Sequence, residues 1–122
     1  MSKKVRTLLI VDDEENVRNS LEGYLSEKDY MIVLASDGDE ALQLFQSTKI
    51  DLVLSDIRMP RMNGLKLLKA VKNIKHSMPV ILMTGYEMSK EELSMLPCRA
   101  EAYVSKPFNM ENMLTLIENL LK

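Results

Sequence analysis

The chain has a single cysteine, Cys98, and a single histidine, His76, among its 122 residues. One thiol can form neither an intrachain disulfide nor a paired-cysteine metal knuckle, and such usage suits a reducing compartment. An excess of positive charge is also missing. A formal net charge of -2 leaves nothing with which to neutralise a phosphate backbone, which argues against direct binding to nucleic acid. Long apolar runs are absent near the start: after Met1-Ser2-Lys3-Lys4 the run at 8–11 is only four residues, too short for a signal-peptide core or a membrane span. The expectation is a soluble, cytoplasmic protein with no membrane partner. No linker rich in Ser, Gly or Pro interrupts the composition and no segment repeats at a fixed period, so 1–122 reads as one domain. With 46% hydrophobic and 28% charged residues it can fold around its own core without staples.

What the sequence does have is an alternation of hydrophobic periods. Short runs rich in Val, Ile and Leu at 7–11, 31–35, 52–54 and 80–83, with a weaker one at 102–104, predict five strands. Most are continuously apolar, as strands are when helices cover both faces of a parallel sheet. Between them Val17, Leu21, Tyr24 and Leu25 form one helical stripe, Ala41, Leu42 and Phe45 a second, and Leu65, Leu68 and Val71 a third. A short fourth helix is expected over 89–96, because Pro97 removes a backbone donor from any continuation. The last helix carries Met113, Leu114, Ile117, Leu120 and Leu121, with Asn109 placed as its N-cap. The pattern predicts a doubly wound α/β fold whose ligands gather at the carboxyl edge of the sheet.

Acids fall at that edge. The first strand runs into Asp12-Asp13-Glu14-Glu15, the third delivers Asp56, the fourth Thr84 and the fifth Lys106. Neighbouring first and third strands would bring Asp12, Asp13 and Asp56 together, and such a group calls for a hard, oxygen-seeking cation such as Mg²⁺. Asp13 to Glu15 read equally well as first-turn residues that complement a helix dipole, and Asp56 taken singly as a strand terminus. Acids on two strands, a hydroxyl on a third and a lysine on a fourth point to a phosphoryl site.

The motifs Val11-Asp12-Asp13, Asp56-Ile57-Arg58-Met59-Pro60-Arg61-Met62-Asn63-Gly64, Met83-Thr84-Gly85 and Tyr103-Val104-Ser105-Lys106-Pro107-Phe108 resemble the CheY-like receiver domain of two-component response regulators. The resemblance covers essentially the whole chain. It implies a flavodoxin-like, five-stranded parallel sheet in the order 2-1-3-4-5 with five helices. It also implies that Asp56 accepts a phosphoryl group from a histidine kinase or histidine phosphotransfer protein in a phosphorelay. Asp12, Asp13, Asp56 and the backbone carbonyl of Arg58 would hold Mg²⁺, and Thr84 and Lys106 would grip the phosphoryl group. Tyr103 would be the rotating aromatic that reports the change to a surface of fourth helix, fifth strand and fifth helix. The Lys106–Pro107 bond would be cis. Such a domain is no enzyme beyond its own phosphorylation and dephosphorylation, and it acts on an effector protein or an output domain as a monomer or a phosphorylation-dependent dimer.

Departures from the family pattern matter as well. Arg58 and Tyr86, at positions that vary in the family, flank the expected mouth and are candidates for setting the lifetime of the phosphorylated state. Arg99-Ala100 stands where the family has Gly-Ala, which affects how the fourth helix ends. Mg²⁺-dependent phosphatases with an aspartyl nucleophile place a second Asp two residues on, where this chain has Arg58. A flavodoxin-like cofactor binder would need a hydroxyl- and glycine-rich loop where Asp12 to Glu15 stand. A receiver-like module that is never phosphorylated would have no need of the complete acidic set. His76, in the exposed-looking stretch 72–77, reads as a surface residue, and Met83, Met110 and Met113 as core filling.

Overall fold

The computed structural model describes residues 5–59, 62–85 and 99–122. In order they form β1 (Thr7–Val11), α1 (Glu15–Ser26), β2 (Met31–Ala35), α2 (Gly38–Ser47), β3 (Leu52–Asp56), α3 (Gly64–Ile74), β4 (Val80–Thr84), β5 (Ala102–Ser105) and α4 (Met110–Leu120). The helix expected over 89–96 lies outside the described residues, as do Tyr86, Pro97 and Cys98. All strands are parallel, in the expected order β2-β1-β3-β4-β5. No helix among the described residues is long and apolar enough to cross a membrane.

The unbroken apolar strands are explained by burial on two sides. Leu9, Val11, Val53, Val80 and Leu82 point to the face covered by α2 and α3, where Ala41, Phe45, Leu67, Leu68 and Val71 meet them. Leu8, Ile10, Leu52, Leu54, Ile81 and Met83 point to the other face, where Leu21 and Leu25 of α1 and Met113 and Ile117 of α4 close the second core. Each helix therefore buries the stripe its spacing announces. Capping sets where the helices begin. Asp37, Asn63 and Asn109 each accept a hydrogen bond from the backbone N–H three residues on, so α2, α3 and α4 start where the chain supplies a short side-chain oxygen.

The stretch 72–77 departs from its exposed reading. His76 is exposed, but Lys72 is only 8% exposed. From the last turn of α3 its ammonium turns inward, donating to both carboxylate oxygens of Glu101 at 2.8 and 2.9 Å and to the carbonyl of Met78 at 2.7 Å. Glu101 also accepts from the N–H of Val80 at 2.7 Å. A buried ammonium is tolerated only with such partners. The pair ties the end of α3 to the entrances of β4 and β5 and so fixes the register that later delivers Thr84 and Lys106. Glu101→Ala should lower the unfolding free energy by about 2 kcal/mol, below the full cost of orphaning a buried charge because Glu101 is partly solvated. Urea denaturation checks this, and an unchanged midpoint would contradict it.

Candidate functional site

The carboxyl edge is assembled from β1 outward. Asp12, the residue after β1, is fully buried, and its N–H donates to the carbonyl of Ala35 at the end of β2 (3.2 Å). Its own carbonyl accepts from Arg18 Nη1 of α1 at 2.7 Å, and Asp12 Oδ1 accepts from the N–H of Glu14 at 2.9 Å. The first-turn reading of 13–15 holds for Glu15, which lies in the first turn of α1, while Glu14, at the N-cap position, makes no side-chain capping bond. The other carboxylate oxygen of Asp12, Oδ2, faces Lys106.

β3 runs two residues further than its apolar run. Register pairs Val11 with Ser55 and Asp56 with Met83, which sets Asp56 level with the acids that follow β1. Asp56 is 6% exposed, and one carboxylate oxygen each from Asp12, Asp13 and Asp56 all lie within 4.8 Å of one another. Asp13 is exposed, so the cluster opens to solvent on one side. From beyond β5, Lys106 Nζ reaches Asp12 Oδ2 at 2.7 Å, Asp56 Oδ2 at 3.4 Å and Glu14 Oε1 at 3.9 Å. Its backbone N–H donates to the carbonyl of Thr84 at 2.7 Å, and the Lys106–Pro107 bond is cis, as expected. Thr84 closes β4 at 3% exposure.

The remaining sequence candidates lie around this centre. Arg58 is exposed, two residues after Asp56. Tyr103 is half-buried and packs on the α2/α3 face of the sheet, level with Leu82. Its hydroxyl accepts from the N–H of Ala100 at 3.3 Å. Ala100 precedes β5 whereas Thr84 is level with Ser105 at its end, so the ring lies back along the strand, away from Thr84. Sequence reasoning missed Arg18, whose contact with Asp12 has no sequence signature. It also missed a cleft of about 420 Å³ lined by Glu14, Val17, Lys106, Pro107, Phe108 and Met110, which forms only when α1 and the start of α4 meet.

Charge dominates the site. Burial, and then the neighbouring Asp12, push the Asp56 carboxyl above the usual carboxylate range, although Lys106 pulls the other way. Burial would lower the Lys106 ammonium, but its contacts with Asp12 and Asp56 outweigh this and hold it above its ordinary value. Lys106 therefore stays charged, and one ammonium faces three carboxylates. Exclusively oxygen donors with excess negative charge fit a hard divalent ion such as Mg²⁺, and not a soft metal that seeks thiolate or imidazole.

The sign of the Asp56 shift carries a consequence for stability. A carboxyl that ionises less readily in the folded than in the unfolded chain contributes stability below its ordinary pKa, and that contribution is lost as pH rises through the raised value. Without divalent ions, Asp56→Asn should therefore melt a few degrees above the wild type at about pH 7, with the gap closing towards about pH 4. Thermal melts followed by circular dichroism at both pH values test this, and an Asn variant that melts lower at neutral pH would contradict it.

The sequence and fold are similar to those of known proteins. The family model for the response regulator receiver domain matches residues 8–118. Regulatory protein AtoC of Escherichia coli is 38% identical over 118 residues, which are 97% of this chain and 26% of AtoC. Response regulator MprA of Mycolicibacterium vanbaalenii is 36% identical over 115 residues, 94% of this chain and 50% of MprA. The chain thus spans about a quarter of one curated relative and half of the other. The crystal structure of response regulator TrrA from Thermotoga maritima, in complex with Mg²⁺-BeF, has a TM-score of 0.86 at 37% identity, covering 96% of this chain and 100% of that one. Sequence match, strand order and the acidic edge agree, and the chain belongs to the response regulator receiver domain family.

Proposed function

We propose that Asp56 accepts a phosphoryl group from the phosphohistidine of a histidine kinase or histidine phosphotransfer protein, and that the domain switches its surface in response. The observation that carries this reading is the position of Lys106 Nζ, within 3.4 Å of both Asp12 and Asp56 where the three carboxylates converge. Asp12, Asp13 and Asp56, with the backbone carbonyl of Arg58, would hold Mg²⁺. When bound, the ion offsets the repulsion between the Asp56 carboxylate and the incoming phosphoryl oxygens. The solved relative in complex with Mg²⁺-BeF supports this assignment.

The chain's own groups do the rest. An oxygen of Asp56 forms the new bond to phosphorus as the bond from phosphorus to the donor's imidazole nitrogen breaks, and the electron pair leaves with that nitrogen. A glutamate here would overreach, and the buried position of Asp56 limits hydrolysis of the product. Lys106 trades part of its pairing with Asp12 and Asp56 for a phosphoryl oxygen, and the Thr84 hydroxyl donates to another. The cleft beside Lys106 gives the donor protein an apolar surface to rest on.

Readout follows from the added charge. A shift of Thr84 towards the phosphoryl group vacates space beyond β4, and Tyr103 moves from its hold on the Ala100 N–H into it. The surface so altered comprises the expected fourth helix, β5 and α4, and it addresses an effector protein or an output domain, with the domain monomeric or dimerising on phosphorylation. Turning a population from 1:99 to 99:1 requires about 5.5 kcal/mol of differential stabilisation, within the range of a few charge-assisted hydrogen bonds. The domain catalyses no reaction beyond gaining and losing its own phosphoryl group, in a cytoplasmic setting that suits its lone thiol.

Incubation with acetyl phosphate and Mg²⁺, read by intact mass, should give one phosphoryl adduct in the wild type and none in Asp56→Ala. The adduct should decay several-fold faster in Arg58→Ala and Tyr86→Ala, whose long side chains shield it from water. An adduct that persists in Asp56→Ala would refute the acceptor assignment, and unchanged lifetimes would refute the shielding roles.

A further inference from the structure

Gly38 opens α2 and contributes no functional group, yet it lies in close contact with Met62 of the loop that follows β3. A Cβ built on Gly38 would stand 2.5 Å from the carbonyl oxygen of Met62, 2.7 Å from its Cβ and 2.9 Å from its Cγ. Real Cβ atoms essentially never approach so closely, so the backbone of Met62 rests on the bare α carbon of Gly38. Met62 belongs to the loop between Asp56 and α3. The far end of that loop is closed by Gly64, whose N–H donates to the carbonyl of Ile57 at 2.9 Å and whose α carbon lies against the carbonyl of Asp56. Ile57 and Asp56 are thus held against Gly64, and Met62 against Gly38.

The turn before Gly38 is fixed to the other side of the site. The Ala35 carbonyl accepts from the N–H of Asp12 at 3.2 Å, Ser36 N–H donates to Glu40 Oε1 at 2.7 Å, and Asp37 Oδ1 accepts from the N–H of Glu40 at 2.8 Å. These bonds tie the turn to the start of α2. The β2–α2 turn, with no site residue of its own, therefore spans from Asp12 to Met62 as a strut.

We propose that Gly38 is a positioning residue for the divalent ion. By allowing the Met62 backbone to seat on α2, it sets the separation between the loop carrying Asp12 and Asp13 and the loop that leaves β3 after Asp56 and carries Arg58. The proposal rests on the metal-holding role inferred above. Glycine is a poor residue for a helix, and alanine would favour α2 itself. A methyl at Gly38 must instead displace either Met62 or the start of α2, and both motions alter the spacing of the acids. Groups that support ligands from outside the coordination sphere typically change metal affinity by about tenfold to a hundredfold.

Isothermal titration with Mg²⁺ and metal-free amide hydrogen exchange on the whole chain test this. Gly38→Ala should bind Mg²⁺ about tenfold or more weakly, and the Gly64 amide should exchange faster even without metal. Met62→Ala, which keeps the carbonyl and Cβ but removes Cγ and the rest of the side chain without a clash, should weaken binding several-fold. Ile117→Val, a core change under α4, controls for lost stability and should leave Mg²⁺ affinity unchanged. Wild-type affinity in both Gly38→Ala and Met62→Ala, or an equal loss in Ile117→Val, would overturn the positioning role. If the wild type itself fails to bind Mg²⁺, the metal-holding role falls and takes this inference with it, an outcome distinct from a bound wild type with an indifferent Gly38.

Discussion

Three carboxylates whose oxygens lie within 4.8 Å of one another repel, and a single ammonium, Lys106, sits among them to offset part of that repulsion. Asp12 and Asp56 are almost wholly removed from water, so the repulsion cannot simply be screened. Such an arrangement is unfavourable in isolation and is maintained by the rest of the fold. Two apolar cores hold the strands in register, and the strands carry Asp12, Asp56, Thr84 and Lys106 to one edge. The raised Asp56 carboxyl is the physical trace of this arrangement, and a cation held among the three carboxylates would relieve it. That is the sense in which a stored electrostatic penalty becomes a capacity for chemistry.

Much of this was legible in the residues themselves. The limits of β1 and β2 coincide with the runs read from the sequence, which stop at Asp12 and at Ser36. β3 and β4 extend past their apolar runs, by Ser55 and Asp56 and by Thr84. Hydrophobic periodicity cannot count a buried acid or hydroxyl as strand, so it stops short where function begins. Asn109 as a cap, the stripes of the four helices and the cis bond before Pro107 all stand where they were expected. The positions of Asp12, Asp13, Asp56 and Lys106 could be named from the sequence, but their convergence required the neighbouring of β1 and β3 and the parallel register.

Other features depend on contacts that no local pattern encodes. Lys72 and Glu101 are far apart in sequence, and in a run of lysines nothing distinguishes the one that folds inward. Gly38 looks like an ordinary turn glycine until Met62 is placed against it. Both lie at supporting positions: one secures the entrances of β4 and β5, the other the spacing of two loops at the opposite edge. Tyr103, half-buried and accepting from the N–H of Ala100 just before β5, belongs to the same short strand, whose entrance lies beside Glu101 and whose end is level with Thr84.

Paramagnetic broadening by Mn²⁺, followed in amide spectra of the uniformly labelled chain, addresses the acidic centre most directly. A single site at the carboxyl edge should erase the signals of Asp12, Asp13, Asp56, Arg58 and Lys106 at substoichiometric ion, while those of Arg6, Lys75 and Glu118 at the far end of the sheet persist. Broadening spread evenly over the surface acids, or centred anywhere other than on Asp56, would contradict the existence of a built divalent site.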